Sequence, residues 1–386
     1  MPGPDSIFSS DELLRYSRQL NLPGFNLEHQ KKLKAASVLV IGAGGLGSPV
    51  SMYLAAAGIG RIGLVDFDVV ETSNLHRQIL HGTKDVGRPK TESARDRLRD
   101  LNPHVDVELH TTRLTAENAT EILGEYDVIA DGTDNFSTRY LVNDACVRLG
   151  KPNVYASIFQ FEGQVSVFGL PEGPCYRCIY PAPPDPGLIP SCAEGGVLGV
   201  LPGMVGALQA TEVIKLITGL GTSLVGRLLL YDALNLRVQH LLVSKNPECP
   251  VCGRSQERRE MIDYATYCTG EPAAAPNITE SNHMIVQELK ARLDRNEPVV
   301  LLDVRKPFEK QIADLGGISI PLDELEDRMD ELSEYRDREI VVYCRSGARS
   351  ARAVSMLQQA GFSHARNLEG GVLAWSDYID PSMMKY

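Results

Sequence analysis

The chain alternates short apolar runs with segments of helical pattern. Predicted helices include residues 46–57 and a helix that begins near Pro89, a residue favoured in the first turn. The apolar runs, each typical of a strand buried in a sheet, occupy residues 36–42, 61–66, 104–110, 126–132 and 153–157. Because these strands alternate with helices, the sequence predicts an α/β fold with a doubly wound, mostly parallel sheet.

The two ends of this first region carry further signals. Ser9 and Glu12 have the spacing of a capping box and predict a short helix over 11–20. Later strands, which we expect to be antiparallel, are predicted at 163–169, 224–232 and 237–243.

A second α/β pattern follows a break in the first. The first pattern stops after Cys252, and we interpret residues 256–278, which are charged and then rich in proline and alanine, as a linker. Helices and strands of the second pattern are predicted at 284–294, 299–304, 339–344 and 348–360. The sequence therefore predicts two domains, at 1–255 and 279–386.

Charge and composition exclude several classes of protein. The 386 residues include 39 Lys and Arg against 50 Asp and Glu, which argues against a nucleic-acid binder. The uncharged run 35–60 is broken by glycines and Pro49, so we expect no membrane span, and the N-terminus does not resemble a secretory signal. We expect a cytoplasmic protein, in which the eight cysteines serve metal binding or catalysis.

A glycine-rich turn follows the first strand and opens a helix. It contains Gly42, Gly44, Gly45 and Gly47. Glycines at this point let the backbone approach a phosphate, while the helix N-terminus offers unpaired N–H groups. Asp66 ends the next strand, where its carboxylate can accept from ribose hydroxyls. This Rossmann-like pattern favours nucleotide binding over a purely structural turn, but it also fits an NAD dehydrogenase.

Three later segments favour a triphosphate. Lys90 stands at a predicted helix start, and Asp134 and Asn135 follow a strand in the run DGTDN. Cations stabilise phosphate charge and a carboxylate can hold Mg²⁺ beside it, so the ordered set favours Mg·ATP although each residue alone could be a solvated loop charge. A polar and cationic segment after Asp66 completes the set with Ser73, Asn74, Leu75, His76 and Arg77.

Two CxxC pairs predict a metal site. They are Cys175 with Cys178, and Cys249 with Cys252. Four thiolates form the closed tetrahedral shell of a structural zinc site. A redox dithiol is the alternative, but two pairs in one cytosolic domain favour zinc, which would join distant loops.

Two other cysteines stand in loops that suit chemistry. Cys192 lies in a loop of small residues before a long apolar helix, and this sequence alone leaves its role open. Cys344 follows a strand and precedes a helix, an arrangement that stabilises a thiolate or persulfide anion. The cradle around that sulfur is predicted to consist of Arg345, Ser346, Gly347, Ala348 and Arg349.

These motifs resemble two known families. Residues from about 10 to 255 resemble the MoeB/ThiF group of ubiquitin-activating-enzyme-like adenylyltransferases, through RYSRQ, GAGGLG, VDFDVVETSNLHRQ, GRPK, DGTDN, the CxxC pairs and SCAEGGVLG. Residues from about 279 to 386 resemble a rhodanese domain, through LLDVRKPFE, IPLDEL, YCRSGARS and GGVLAW. The arrangement is similar to that of the molybdopterin-synthase adenylyltransferase/sulfurtransferases, which activate and sulfurylate ubiquitin-like sulfur carriers.

The resemblance implies roles for the matching residues. Arg18 would reach the ATP site of a partner subunit, which implies a homodimer, and Asp134 would lie near Mg²⁺. Cys192 matches a cysteine that links covalently to the carrier, and Cys344 matches the persulfide cysteine. One departure from the rhodanese pattern is the segment 311–315, which replaces a Gly-His-Ile turn. The residues that would surround ATP are Gly45, Asp66, Ser73, Asn74, Arg77, Lys90, Asp134 and Asn135.

The sequence therefore predicts an enzyme with two coupled activities. It would adenylate the C-terminal glycine of a ubiquitin-like sulfur carrier ending in Gly-Gly, and then convert it to a thiocarboxylate with sulfur from a persulfide on Cys344. Thiosulfate or a cysteine desulfurase would supply the sulfur. An adenylyltransferase with a regulatory or vestigial rhodanese domain is the alternative, and a binding scaffold or an NAD dehydrogenase is less favoured. The sequence does not distinguish a carrier for molybdopterin from one for thiamine, cysteine or tRNA thiolation.

Overall fold

The computed structural model describes residues 7–184, 195–253 and 282–385. These residues form two compact units, one on each side of the stretch 254–281. Below, the first unit means the described residues before this stretch and the second unit means those after it. Cys192 and the predicted linker lie outside the described residues.

The first unit is built on an eight-stranded sheet with the order β3-β2-β1-β4-β5-β6-β7-β8. Strands β1 to β5 are parallel, and the three last pairings are antiparallel, as predicted. The strands are β1 Ser37–Ile41, β2 Arg61–Val65, β3 Asp106–His110, β4 Val128–Asp131, β5 Asn153–Phe159, β6 Glu162–Phe168, β7 Arg227–Asp232 and β8 Arg237–Leu242.

Helices cover both faces of this sheet. Val38 and Val40 of β1 enter one apolar core, while the alternating Leu39 and Ile41 enter another, so β1 is buried on both sides. The predicted capping box at the start of α1 is present. The helices are α1 Ser10–Leu20, α2 Leu27–Ala35, α3 Gly47–Ala57, α4 Lys90–Leu101, α5 Ala119–Gly124, α6 Phe136–Leu149, α7 Tyr176–Ile179 and α8 Leu201–Thr218.

One edge of the sheet is uncovered in the described part of the chain. All six residues of β8 are exposed, and Val238 and Leu242 keep 53% and 86% of their surface accessible. The sheet therefore ends on a solvent-facing strand that exposes three apolar side chains, those of Val238, Leu241 and Leu242.

The second unit has a five-stranded, wholly parallel sheet with the order β11-β10-β12-β13-β9. Its strands are β9 His283–Met284, β10 Val300–Asp303, β11 Ile318–Ser319, β12 Ile340–Tyr343 and β13 Ala365–Leu368. Its helices are α9 Val286–Asp294, α10 Pro307–Ile312, α11 Ala348–Gln359 and α12 Gly371–Tyr378. Separate cores lie on the two faces, and the single tryptophan, Trp375, is buried in one of them.

Within the residues described, no helix has both the length and the apolar character needed to cross a bilayer. The uncharged run 35–60 contains β1 and α3 instead, as its glycines and Pro49 predicted.

Candidate functional site

The strand order places two of the predicted loops side by side. It reverses direction between β1 and β4, and in open parallel sheets ligands bind at such a switch point, outside the carboxyl ends of the strands. The glycine-rich turn follows β1 and the DGTDN loop follows β4. The Gly132 N–H donates to the carbonyl of Ile41 at 2.9 Å, so the two loops meet at this edge.

The four motif glycines have different structural reasons. Gly42 has a φ of 85°, in the left-handed region. A Cβ on Gly47 would stand 1.7 Å from the carbonyl oxygen of Gly42, which no side chain allows. A Cβ on Gly44 or Gly45 would meet its nearest neighbour at 3.5 or 3.4 Å, close to ordinary contact. The fold thus requires Gly42 and Gly47, whereas a Cβ on Gly44 or Gly45 would lie against Gln78 or Pro202 without overlap.

Asp66 is fixed beside this loop. Its carboxylate accepts from the Ala43 N–H and from the Asp68 N–H, both at 2.8 Å. Burial raises the pKa of the Asp66 carboxyl, and the nearby Lys90 ammonium opposes that rise. The structure therefore holds the predicted ribose acceptor against the glycine-rich turn by two backbone hydrogen bonds.

Lys90 begins α4 at the same edge and is 6% exposed. Its ammonium forms an ion pair with Asp68 at 2.9 Å, and its N–H donates to the Asp68 carbonyl at 2.9 Å. Asp68 therefore connects Asp66 with Lys90. The sequence did not single out Asp68, because its signal is a contact across 22 positions of the chain.

The predicted segment 73–77 begins within the 3₁₀ turn Thr72–Asn74. Arg77 lies beside Gly45, since a Cβ on that glycine would approach the Arg77 Cγ at 3.8 Å. The Arg77 guanidinium donates to the Ser73 carbonyl at 3.1 Å, and a ring nitrogen of His76 lies 3.1 Å from the same oxygen. Asn74 is buried and Leu75 is half-buried. Arg77 is the member of this set whose side chain borders Gly45 of the glycine-rich turn.

In the DGTDN loop, Asp134 and Asn135 are exposed. Asn135 caps α6 by accepting from the Thr138 N–H at 2.9 Å. Asp131 is fully buried, and one oxygen of its carboxylate accepts from both the N–H and the hydroxyl of Thr133. The buried Asp131 thus shapes the turn that presents Asp134 to solvent.

Arg18 is exposed on the last turn of α1, and no hydrogen bond or ion pair in the described residues joins it to the glycine-rich turn. Another residue, His81, was missed by the sequence analysis. It is buried against the turn, with one ring nitrogen 2.9 Å from the carbonyl oxygen of Ala43. A single histidine in a polar segment carries no sequence signal of such a contact.

The four CxxC cysteines come together. Their sulfur atoms all lie within 4.8 Å of one another, and Cys178 is the one that is not fully buried. The Cys175 and Cys249 sulfurs are 3.5 Å apart, and those of Cys178 and Cys252 are 3.3 Å apart. Four sulfurs around a zinc ion would be separated by about 3.8 Å, given Zn–S bonds of about 2.3 Å. The donor set and its spacing therefore fit a metal site.

In the second unit Cys344 directly follows β12, next to the point where the strand order reverses between β10 and β12. Its buried sulfur accepts from the Gly347 N–H at 3.1 Å and from the Ser350 hydroxyl at 3.3 Å. Gly347 has a φ of 96° at the start of α11, which turns the backbone around the sulfur. Such donors stabilise an anion on this sulfur.

The closing glycines hold the same loop. A Cβ on Gly371 would lie 2.3 Å from the Cys344 carbonyl oxygen, which shows how closely the two segments pack. The Val372 N–H donates to that carbonyl, and the Leu373 N–H donates to the carbonyl of Arg345, each at 3.0 Å. The loop is thus fixed by the segment that begins α12.

Of the predicted cradle residues, Ser346 and Ala348 are exposed and Arg345 is half-buried. Arg349 forms a bidentate ion pair with Glu309, with both N–O distances 2.7 Å. Its charge is therefore shared with a carboxylate of α10, a partner that the predicted cradle around the Cys344 sulfur did not include.

Known proteins share both parts of this architecture. The ThiF family matches residues 16–251, and the rhodanese-like domain matches residues 286–378. The probable adenylyltransferase/sulfurtransferase MoeZ of Mycobacterium tuberculosis is 47% identical, over 99% of this chain and 97% of its own length. A sulfur carrier protein adenylyltransferase of Thermus thermophilus is 56% identical, over 68% of this chain and 98% of its own.

Among solved structures, that of Escherichia coli MccB with ATP superimposes with a TM-score of 0.54 at 26% identity. The match covers 62% of this chain and 75% of that one. The MoeZ match extends through both units, and the ThiF match spans more than half of the chain. This chain accordingly belongs to the ThiF family and carries a C-terminal rhodanese-like domain.

Proposed function

We propose that this protein uses ATP to adenylate the C-terminal glycine of a ubiquitin-like sulfur carrier, and then delivers sulfur to it from a persulfide on Cys344. The observation that carries the proposal is the presence of two different sites in one chain. The first unit has a sheet edge typical of nucleotide-binding folds, with a lysine and carboxylates beside it. The second unit has a thiol surrounded by hydrogen-bond donors. A relative named for both activities matches 99% of the chain.

In the adenylation step, Asp66 would accept from the ribose, and the backbone N–H groups near Gly44 and Gly45 would meet phosphate oxygens. Arg77 and Lys90 would balance the charge that develops as pyrophosphate leaves. The remaining contacts would come from Gly42, Gly47, Ser73, Asn74, Leu75, His76 and Asn135. The carrier carboxylate is a poor electrophile, and the adenylate gives it a good leaving group.

Two metal ions belong to the proposal. Asp134 is an exposed carboxylate, a hard oxygen ligand of the kind that Mg²⁺ prefers, and would hold the magnesium of Mg·ATP. The four clustered cysteines would hold a structural zinc ion that joins distant parts of the first unit. We also infer a cytoplasmic location, since the six cysteines in the described ranges are all free of disulfides.

In the sulfur step, the outer sulfur of the Cys344 persulfide would attack the activated carbonyl and displace AMP, giving an acyl disulfide. A thiol would then attack the Cys344 sulfur of this bond, which releases the carrier thiocarboxylate and leaves a disulfide on Cys344 that a second thiol reduces. Thiosulfate or a cysteine desulfurase would charge Cys344. Cys192 would hold the carrier as a thioester or an acyl disulfide in between. The alternative, a regulatory or vestigial rhodanese domain, is disfavoured because the Cys344 loop retains its donors and its packing.

The test combines three measurements on the full chain with a carrier ending in Gly-Gly. Asp134→Ala should abolish ATP–pyrophosphate exchange and leave thiosulfate sulfurtransferase activity intact. Cys344→Ala should do the reverse, and Cys192→Ala should preserve exchange while slowing thiocarboxylate formation, followed by mass spectrometry of the carrier. Thiocarboxylate made from thiosulfate at an unchanged rate by Cys344→Ala would contradict the two-activity mechanism.

The homodimer has a separate test. If Arg18 of one subunit completes the partner's ATP site, Arg18→Ala and Asp134→Ala should each be inactive in exchange. Random mixing of the two variants should restore about a quarter of the wild-type activity, because half of the dimers are mixed and each has one intact site. A mixture as inactive as its components would exclude a role for Arg18 across the subunits.

A further inference from the structure

His81 lies between the glycine-rich turn and α4. It is 7% exposed, and both ring nitrogens have partners. Nε2 is 2.9 Å from the carbonyl oxygen of Ala43, and Nδ1 is 2.9 Å from the hydroxyl of Ser93. No motif contains this residue, and none of the proposed steps uses it.

The partners determine which nitrogen carries the proton. A carbonyl oxygen can only accept, so Nε2 of His81 donates to Ala43, while Nδ1 contacts the Ser93 hydroxyl. Burial lowers the pKa of His81, and the Lys90 ammonium lowers it further, against the opposing charges of Asp66 and Asp85. The lowered pKa favours the neutral imidazole, in which the Nε2–H held by Ala43 is the donor.

This donor controls the direction of a neighbouring N–H group. The carbonyl of Ala43 and the N–H of Gly44 belong to one planar trans peptide, so they point in opposite directions. A carbonyl held by His81 consequently aims the Gly44 N–H away from the protein interior. No acceptor in the described part of the chain takes that N–H. The preceding N–H, that of Ala43, is held by Asp66 at 2.8 Å.

The other ring nitrogen of His81, Nδ1, contacts the helix that begins with Lys90. Ser93 lies one turn after Lys90 on α4, so the hydrogen bond to His81 ties the helix that carries the lysine to the glycine-rich turn. His81 thus contacts two of the elements that carry proposed phosphate contacts, the glycine-rich turn and α4.

We propose that His81 is a positioning residue for nucleotide phosphate binding: it fixes the peptide that presents the Gly44 N–H and sets the distance from that peptide to Lys90 through Ser93. The inference rests on the proposed adenylation of a carrier by ATP. It assigns His81 no contact with the nucleotide.

The experiment measures ATP–pyrophosphate exchange and, in parallel, ATP binding by calorimetry on the full chain. His81→Leu should raise the KM for ATP about tenfold, which corresponds to the loss of one well-placed interaction. The KM for the carrier should stay unchanged. His81→Gln, whose amide can still donate to Ala43, should restore most of that affinity. His104→Gln, at an exposed histidine before β3, serves as the matched control and should change neither value.

A second variant tests the link to α4. Ser93→Ala should raise the KM for ATP about two- to threefold, as expected for one neutral hydrogen bond. Added to His81→Leu it should have no further effect, because both changes break the same connection. If His81→Leu does not fold, Ser93→Ala and His81→Gln decide.

Three results would overturn the proposal. One is an unchanged ATP affinity in both His81→Leu and Ser93→Ala. Another is a lower kcat with an unchanged KM, which a loss of folded protein alone would produce. The third is simple additivity of the two substitutions. A wild-type protein that binds ATP but performs no exchange with any carrier would contradict the proposed function, and the calorimetric comparison would still judge His81.

Discussion

At the scale of single residues, two glycines of the glycine-rich turn are required for different structural reasons. The sequence shows four equivalent glycines, whereas the structure needs Gly42 for its positive φ and Gly47 for its close approach to a carbonyl. Gly44 and Gly45 have no such constraint. A motif predicts that a loop has a particular role, but contacts between positions distant in the chain determine why each residue is needed. Asp68 and His81 could not be identified from the sequence because their roles depend on such contacts.

We predict that substitution by alanine separates these causes. Gly44→Ala and Gly45→Ala should keep the melting temperature, because each Cβ would meet its neighbours at close to ordinary contact. Both should raise the KM for ATP, because the added methyl groups would crowd the turn whose backbone N–H groups are proposed to meet phosphate oxygens. Gly47→Ala should lower the melting temperature strongly, since its Cβ would overlap a carbonyl oxygen. Thermal unfolding and exchange kinetics check both. Equal loss of stability in all three variants would contradict the division.

At the scale of elements, apolar runs predicted every strand of the large sheet, including β1, to within a few residues. They predicted neither β9 nor β11, which have two residues each, nor β13, which includes the polar Arg366 and Asn367. Strand order is not local, so the meeting of the β1 and β4 loops followed from the family resemblance and not from periodicity.

The ion pair between α10 and α11 should stabilise the second unit. Glu309 is 4% exposed and also accepts from the Lys306 N–H, so Glu309→Gln leaves the Arg349 guanidinium without its carboxylate. We expect a loss of about 1–3 kcal/mol in the free energy of unfolding, reduced from the fully buried case because Arg349 is partly exposed.

Denaturation followed by the fluorescence of Trp375 measures this loss, since the single tryptophan lies in the second unit. Lys310→Gln, which removes a longer and exposed pair on the same helix, is the control and should change stability little. An effect of Glu309→Gln no larger than that of the control would show that the pair contributes nothing.

At the scale of the whole molecule, each unit has its own cores, and the cysteine cluster belongs to the first. The sequence predicted this cluster because CxxC pairs have a strong signal, although the pairs are 74 residues apart. It also predicted the division into two α/β patterns, because each pattern is visible in the local periodicity of apolar residues.

Removal of the metal should therefore affect one unit only. We expect about one zinc per chain, and chelation should lower the unfolding midpoint of the first unit and abolish exchange. The midpoint reported by Trp375 should stay unchanged, because its core lies in the other unit. Circular dichroism and metal analysis provide the comparison, and a zinc-free protein that retains stability and exchange would refute a structural role.

The exposed strand β8 has a consequence for the behaviour of the protein in solution. It pairs with β7 on one side, so in the described chain its other row of backbone N–H and C=O groups has no strand partner. Arg237 is the one permanently charged residue among its six, whereas proteins commonly guard such edges with charge. An uncovered edge strand with so little charge can template the addition of a strand from another molecule. We therefore expect self-association in concentrated solution to start at this end of the sheet, three strands beyond its last parallel pair.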